Sequence, residues 1–258
     1  MLIETHTLSK VYRTRGRTIE ALKDVSVRFP AGVTALIGSN GSGKSTLMRI
    51  LCTIESASRG SFRLNGNVIE GKARALYRLR IGYVPQDVRF VSTMSCKDVL
   101  AYAGWVAGLD RKRYLTRIPE VLELVDLPDA VNARIGSLSG GQNRRIGIAA
   151  ALMHEPEILF LDEPTAGLDP QARIEVRKIL NQVASTATVV FSTHLADDVA
   201  TLAQRVIAMN AGRAAYEGSW NELVEAAMQS QDADLTHDDL ELALTHVANT
   251  SADKGSAS

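Results

Sequence analysis

Three short stretches carry residue types that act on phosphate. GSNGSGKST runs Gly38, Ser39, Asn40, Gly41, Ser42, Gly43, Lys44, Ser45, Thr46. It fits the pattern G-x-x-x-x-G-K-[ST], with an apolar segment before it and a helical one after it. Glycines at 38, 41 and 43 let backbone N–H groups wrap around phosphate oxygens, because no Cβ obstructs the path. A helix starting there adds partial positive charge. Lys44 can reach the β- and γ-phosphates, and the Ser45 hydroxyl suits Mg²⁺.

The second stretch is ILFLDEP. Four apolar residues at 158–161 read as a buried strand, and Asp162 emerges at its carboxyl end. Glu163 follows, and Pro164 stops the strand. Two adjacent carboxylates divide naturally between metal and water: Asp162 as a Mg²⁺ ligand, Glu163 polarising the attacking water. The third stretch, SLSGGQNRR at 137–145, again sets a serine and two glycines before a helix. It looks like a second phosphate cradle. The residues alone leave open whether both cradles act within one chain.

These residues need elements to hold them. Segments 2–12 and 19–29 read as strands around the turn RTRGR, and 33–37 as a buried strand ending at the first cradle. A helix is expected over 46–52. Asn65-Gly66 predicts a hairpin within 59–68, and a short strand at 81–84 ends at Pro85. From 87 to 135 the pattern turns helical. Ser95 is placed as an N-cap with Asp98 at N3. Ile118, Val121, Leu122 and Val125 share one helix face, and Pro119 is placed in that helix's first turn. Helices at 140–153, 170–184 and 195–203 then alternate with strands at 158–161, 188–192 and 205–209. Such alternation predicts an α/β fold with a mostly parallel sheet, whose ligands bind at the carboxyl ends of the strands. From Gln229 onward the chain is acidic. Leu240, Ala243, Leu244 and Val247 predict one short helix capped by Thr236, then a disordered end.

Bulk properties narrow the class. The 258 residues are 45% hydrophobic, enough for a sizeable core, and 29 basic residues balance 29 acidic ones. Nothing in that balance points to nucleic acid. Arg13, Arg15 and Arg17 read as a solvated hairpin. Cys52 and Cys96 stand alone, as packed thiols of a reducing compartment. No leader is expected at the N-terminus, and no apolar run approaches the ~20 residues that span a bilayer.

With LSGGQ at 138–142 some twenty residues before LDEP, the chain resembles the ATP-binding cassette (ABC) family. Other marks follow in order. Tyr12 stands where that family stacks an aromatic on adenine. Gln86 in YVPQD resembles the Q-loop glutamine, near Mg²⁺ and the water. Asp169 in GLDP resembles the D-loop carboxylate; it could equally cap the helix after Pro170. His194 in FSTH resembles the switch histidine. Asn143 departs from the basic residue common in the family.

The resemblance implies a P-loop ATPase core with an N-terminal antiparallel β-subdomain and a helical signature subdomain, about 87–150. It covers 1–222, leaving 223–258 as an extension. It also implies ATP and Mg²⁺ as cofactors and a head-to-tail homodimer. Ser139, Gly140, Gly141 and Gln142 of one copy would then contact the ATP held by the P-loop of the other. Glu163, His194 and Gln86 would serve hydrolysis. A single cassette without a coiled coil points to the ATPase subunit of a transporter, cytoplasmic and held to the inner face of the membrane by separate permease chains. Val88, Phe90, Val91 and Met94 would form a groove for a permease helix, or pack locally. Tyr102, Trp105 and Val106 are expected in the core. STMSCKDVLAYAGWVAGL resembles the drug, antibiotic, lipid and polysaccharide exporters. An importer subunit, or a soluble ATPase acting on translation or DNA, is the alternative.

Overall fold

A computed structural model describes residues 1–14 and 16–228; the helix expected after Thr236 lies outside them. Eleven strands and eight α-helices follow one another among the described residues. They are β1 Leu2–Thr14, β2 Arg17–Val25, β3 Arg28–Pro30, β4 Val33–Ile37, α1 Lys44–Leu51, β5 Arg59–Leu64, β6 Asn67–Val68, α2 Ala73–Arg78 and β7 Ile81–Val84. Then come α3 Cys96–Val106, α4 Arg111–Leu124, α5 Gly140–Leu152, β8 Ile158–Leu161, α6 Pro170–Val183, β9 Thr188–Thr193, α7 Ala196–Leu202, β10 Arg205–Asn210, β11 Arg213–Gly218 and α8 Trp220–Met228. The chain divides into two compact units, Met1–Arg74 with Val190 onward, and Ala75–Val189.

The first unit contains an antiparallel sheet in the order β2-β1-β5-β6, with β3 also paired to β1. The single strand expected over 19–29 is in fact two. β2 pairs with the second half of β1, from Leu8 to Thr14, and β3 with its start, from Leu2 to Glu4. The break falls just after Asp24, which has φ 51°. There Asp24 accepts a bond from the Ser9 hydroxyl and its N–H donates back to that hydroxyl, both at 2.9 Å. The same unit carries β11-β10-β4-β9 in sheet order, β4 and β10 being parallel. All five residues of β4 are buried, as expected of a strand with packing on both faces.

In the second unit β7 and β8 run parallel, from the pair Ile81–Ile158 to the pair Val84–Leu161. The helical block lies between them in sequence. Ser95 caps α3 through a full capping box with Asp98. Ile118, Val121, Leu122 and Val125 are all buried, as their spacing implied. Pro119, however, lies inside α4 and not in its first turn. The helix starts earlier because the Asp110 side chain accepts from the Arg113 N–H at 2.9 Å. There the proline gives up the bond its missing N–H would have donated, and its ring crowds the carbonyl one turn earlier.

The expectation of a core role for Tyr102, Trp105 and Val106 is also overturned. They are 60%, 65% and 62% exposed, while α3 buries Cys96, Val99, Leu100 and Gly104. The helix has apolar residues on both faces, and only one face can meet the core. Both cysteines are buried, and neither is in a disulfide.

Candidate nucleotide site

In the first unit, β4 delivers the chain into the glycine loop and α1 leaves it. Gly38, Gly41 and Gly43 have φ of 143°, 82° and 107°, a region that favours glycine. A Cβ on Gly38 would lie 2.2 Å from the Met209 carbonyl oxygen, and one on Gly43 would lie 2.7 Å from that of Ala21. The loop therefore packs tightly against β10 and β2 and has no room for side chains at those two points. Lys44 is 6% exposed. Its ammonium donates to the carbonyls of Gly38 at 2.6 Å and Ser39 at 3.2 Å, which holds the charge on the loop. Gly43 caps α1 with no side-chain bond, and the Ser42 hydroxyl is buried without a partner. An uncapped helix start, a tethered cation and an orphaned donor together fit a polyphosphate.

Tyr12, on β1 of the same unit, is half-buried, and its hydroxyl donates to the Glu55 carboxylate at 2.6 Å. His194 is exposed just past the end of β9. The turn that carries it is pinned by Thr193, whose hydroxyl donates to the fully buried Asp198 at 3.2 Å and accepts from the Leu195 N–H at 3.0 Å.

In the second unit, Asp162 and Glu163 follow β8 and are 2% and 5% exposed. The Asp162 N–H donates to the Val84 carbonyl at 2.9 Å, so β7 fixes where this carboxylate leaves the sheet. Glu163 sits at φ 50°. A non-glycine residue in that region is strained, and such strain concentrates at functional positions. Gln86 is exposed after β7. Arg144 of α5, which sequence reasoning missed, holds its backbone. The guanidinium donates to the Pro85 carbonyl at 3.0 Å and to that of Gln86 at 2.6 Å. Burial pulls this guanidinium below its ordinary pKa, against the charges of Asp87 and Asp162. The only hint in the sequence is the first arginine of NRR.

The second cradle is also built as the sequence suggested. Ser139 caps α5 in a capping box with Gln142. Its hydroxyl accepts from the Gln142 N–H at 3.2 Å, and the Gln142 side chain accepts from the Ser139 N–H at 2.9 Å. Ser139 and Gly140 are exposed. Gly141 is buried, and a Cβ there would lie 2.7 Å from the Ala172 Cβ. Packing on α6 is thus one reason for glycine at 141. At 140, with nothing within 4 Å, packing gives none. Asp169 caps α6, accepting from the Ala172 N–H at 2.9 Å, so the capping use left open by the sequence is real. Asn143, where the family commonly has a basic residue, keeps its carbonyl oxygen buried without a partner.

A P-loop NTPase is the class that a glycine cradle after a buried strand, with acids at the end of a second one, defines. The chain belongs to the ABC transporter family, whose model matches residues 22–166, and it is an ATP-binding, ATP-hydrolysing cassette. It is 34% identical over 224 residues to the linearmycin resistance ATP-binding protein LnrL of Bacillus subtilis, covering 86% of this chain and 70% of that one. It is 35% identical over 230 residues to the methionine import ATP-binding protein MetN of Latilactobacillus sakei, covering 87% and 67%. The dimeric ATP-binding cassette MJ0796, bound to ADP and Pi, has the same fold, with TM-score 0.75 at 23% identity over 84% of this chain and 98% of that one.

Proposed function

We propose that two copies of this chain enclose two ATP molecules and drive export through separate membrane-spanning subunits. The observation that carries this is the exposed second cradle, a capped helix start with Ser139 and Gly140 facing outward. A two-fold dimer places such a surface on the partner's nucleotide twice over. That a cassette of this fold is dimeric with ADP and Pi supports the arrangement.

In this reading Gly38 to Thr46 bind the phosphates of one copy's ATP, and Tyr12 stacks on its base. Lys44 neutralises phosphate charge. Ser45, Asp162 and Gln86 supply hard oxygen donors that suit Mg²⁺, which when bound neutralises charge on the phosphate oxygens. Among the described residues no group of three or more His, Cys, Asp or Glu could hold a metal. That fits an ion completed by phosphate oxygens and water. Glu163 takes or orients the proton of the attacking water. His194 and the partner's cradle stabilise the charge on the transferring group.

Among the described residues no helix is long and apolar enough to cross a membrane. The membrane partner therefore needs a seat, and the second unit offers one. A groove of about 850 Å³ is lined by Val88, Phe90, Val91, Met94, Tyr102 and Val106, among others. Its lining includes Pro85 and Asp87, on either side of Gln86. Exposed aromatic and aliphatic side chains around a groove suit an amphipathic helix.

The linearmycin and daunorubicin resistance proteins among the relatives favour export; the methionine import relatives favour the importer reading. The test is co-purification of the tagged chain with a multi-spanning membrane subunit, compared with Val91→Asp and Tyr102→Asp. Both variants should lose that subunit and keep ATP binding. Retained association would remove the groove from the proposal, and a co-purifying substrate-binding lipoprotein would reverse the direction.

A further inference from the structure

We propose that Glu55 is a positioning residue for the nucleobase, holding the Tyr12 ring as a preformed platform. The inference rests on the reading of Tyr12 as the adenine-stacking residue. Nothing near Glu55 in the sequence singles it out: it lies in the loop between α1 and β5, 43 residues from Tyr12.

The Tyr12 hydroxyl donates to the Glu55 carboxylate at 2.6 Å, a charge-assisted bond and hence a strong one. Thr46, in the P-loop helix, stands near the same hydroxyl and favours its charged form. Glu55 is itself fixed from two sides, by the Lys10 ammonium at 3.3 Å and the Arg49 guanidinium at 3.6 Å. Lys10 in turn donates to the Ser56 carbonyl at 2.8 Å and stands 5.0 Å from the centre of the Tyr12 ring. The ring is thus held at its tip and covered on one face by a cation. A ring so held presents only its other face to a ligand.

The energetic consequence concerns ordering. A free tyrosine on a strand must give up ring and side-chain freedom when a base stacks on it, and that loss is subtracted from binding. A ring already tied through its hydroxyl has given it up on folding. The hydroxyl also lies near the phosphate site, because Thr46 belongs to the cradle. Burial pushes the Glu55 carboxyl up. The bonds from Tyr12 and Lys10 and the charges of Lys10 and Arg49 outweigh it and hold the group below its ordinary value, so it remains an acceptor at neutral pH.

The experiment is calorimetric titration of the full chain with ATP and with inorganic tripolyphosphate, which has the phosphates and no base. Glu55→Ala should weaken ATP about tenfold, the scale of a lost bond to a charged group, and leave tripolyphosphate unchanged. Glu55→Gln keeps an acceptor for the hydroxyl and should restore most of the affinity. Tyr12→Phe, which removes only the hydroxyl, should reproduce the loss and carries the test if Glu55→Ala does not fold. In a Tyr12→Ala background, Glu55→Ala should add nothing.

Equal weakening of both ligands, a full Glu55 effect without Tyr12, or wild-type affinity in Tyr12→Phe would overturn the inference. Tyr12→Ala with wild-type ATP affinity would instead overturn the stacking reading on which it rests.

Discussion

Arg144 and Gln86 are joined by a 2.6 Å bond from guanidinium to backbone carbonyl. The bond connects the helix that starts at the second cradle to the loop that carries Gln86. Val88 fastens the same loop again, its methyl carbons packing 3.0 Å from where a Gly147 Cβ would stand. Both contacts join this loop, part of the groove lining, to α5. Arg144→Leu should cost about 1–3 kcal/mol of stability, the price of unpaired carbonyls. It should also lower ATP turnover more than ATP affinity. Arg144→Lys should recover only part, since a single ammonium nitrogen does not reproduce the two separated donors of the planar guanidinium fork. Urea denaturation and steady-state ATPase assays measure both. Unchanged turnover in a destabilised Arg144→Leu would confine the residue to structure.

Adjacent glycines of the second cradle should behave oppositely. Gly141→Ala pushes a methyl to 2.7 Å from the Ala172 Cβ and should destabilise the fold by about 1–3 kcal/mol. Gly140→Ala meets nothing and improves helix propensity, so its melting temperature should hold or rise while ATP hydrolysis falls. Thermal melts with ATPase assays decide. Full activity in Gly140→Ala would count against a phosphate contact there.

His154 makes the second unit sensitive to acid. Its Nε2 lies 2.9 Å from the Ile81 carbonyl, and burial holds the imidazole below its ordinary value of 6.5. The unfolded chain therefore takes up this proton first as pH falls. The stability this group contributes is whole above about pH 6.5 and is lost as pH drops towards the folded value. His154→Asn keeps a donor and removes the titration. Melting temperatures at pH 7.5 and 5.5 should fall less in the variant than in the wild type. Equal falls would place the titration elsewhere.

Much of this molecule is legible from its sequence where the signal is local. The strand β8 is an uninterrupted apolar run ended by two acids and a proline, and β4 is an apolar run broken only by Thr34 and ended by glycine. The Ser95–Asp98 box is written in two residues three apart. Local signals fail where two elements compete for one stretch. The break between β2 and β3 follows from the two ladders that share β1. The outward face of α3 is as apolar as its inward one. Arg144 and Glu55 were illegible for another reason: their partners lie 58 and 43 residues away, and only the folded chain brings them within bonding distance.

The central claim is that each ATP is held from two sides, by the P-loop of one copy and the Ser139 cradle of the other. Glu163→Gln keeps the shape of the side chain and removes its basicity, so turnover should fall roughly 10²–10⁴-fold while ATP still binds. Light scattering of this variant at high protein concentration measures the claim directly. It should be a dimer with Mg-ATP and a monomer with ADP, and adding Ser139→Arg should abolish the dimer without removing ATP from the monomer. An inactive Glu163→Gln chain that binds ATP and stays monomeric would contradict it.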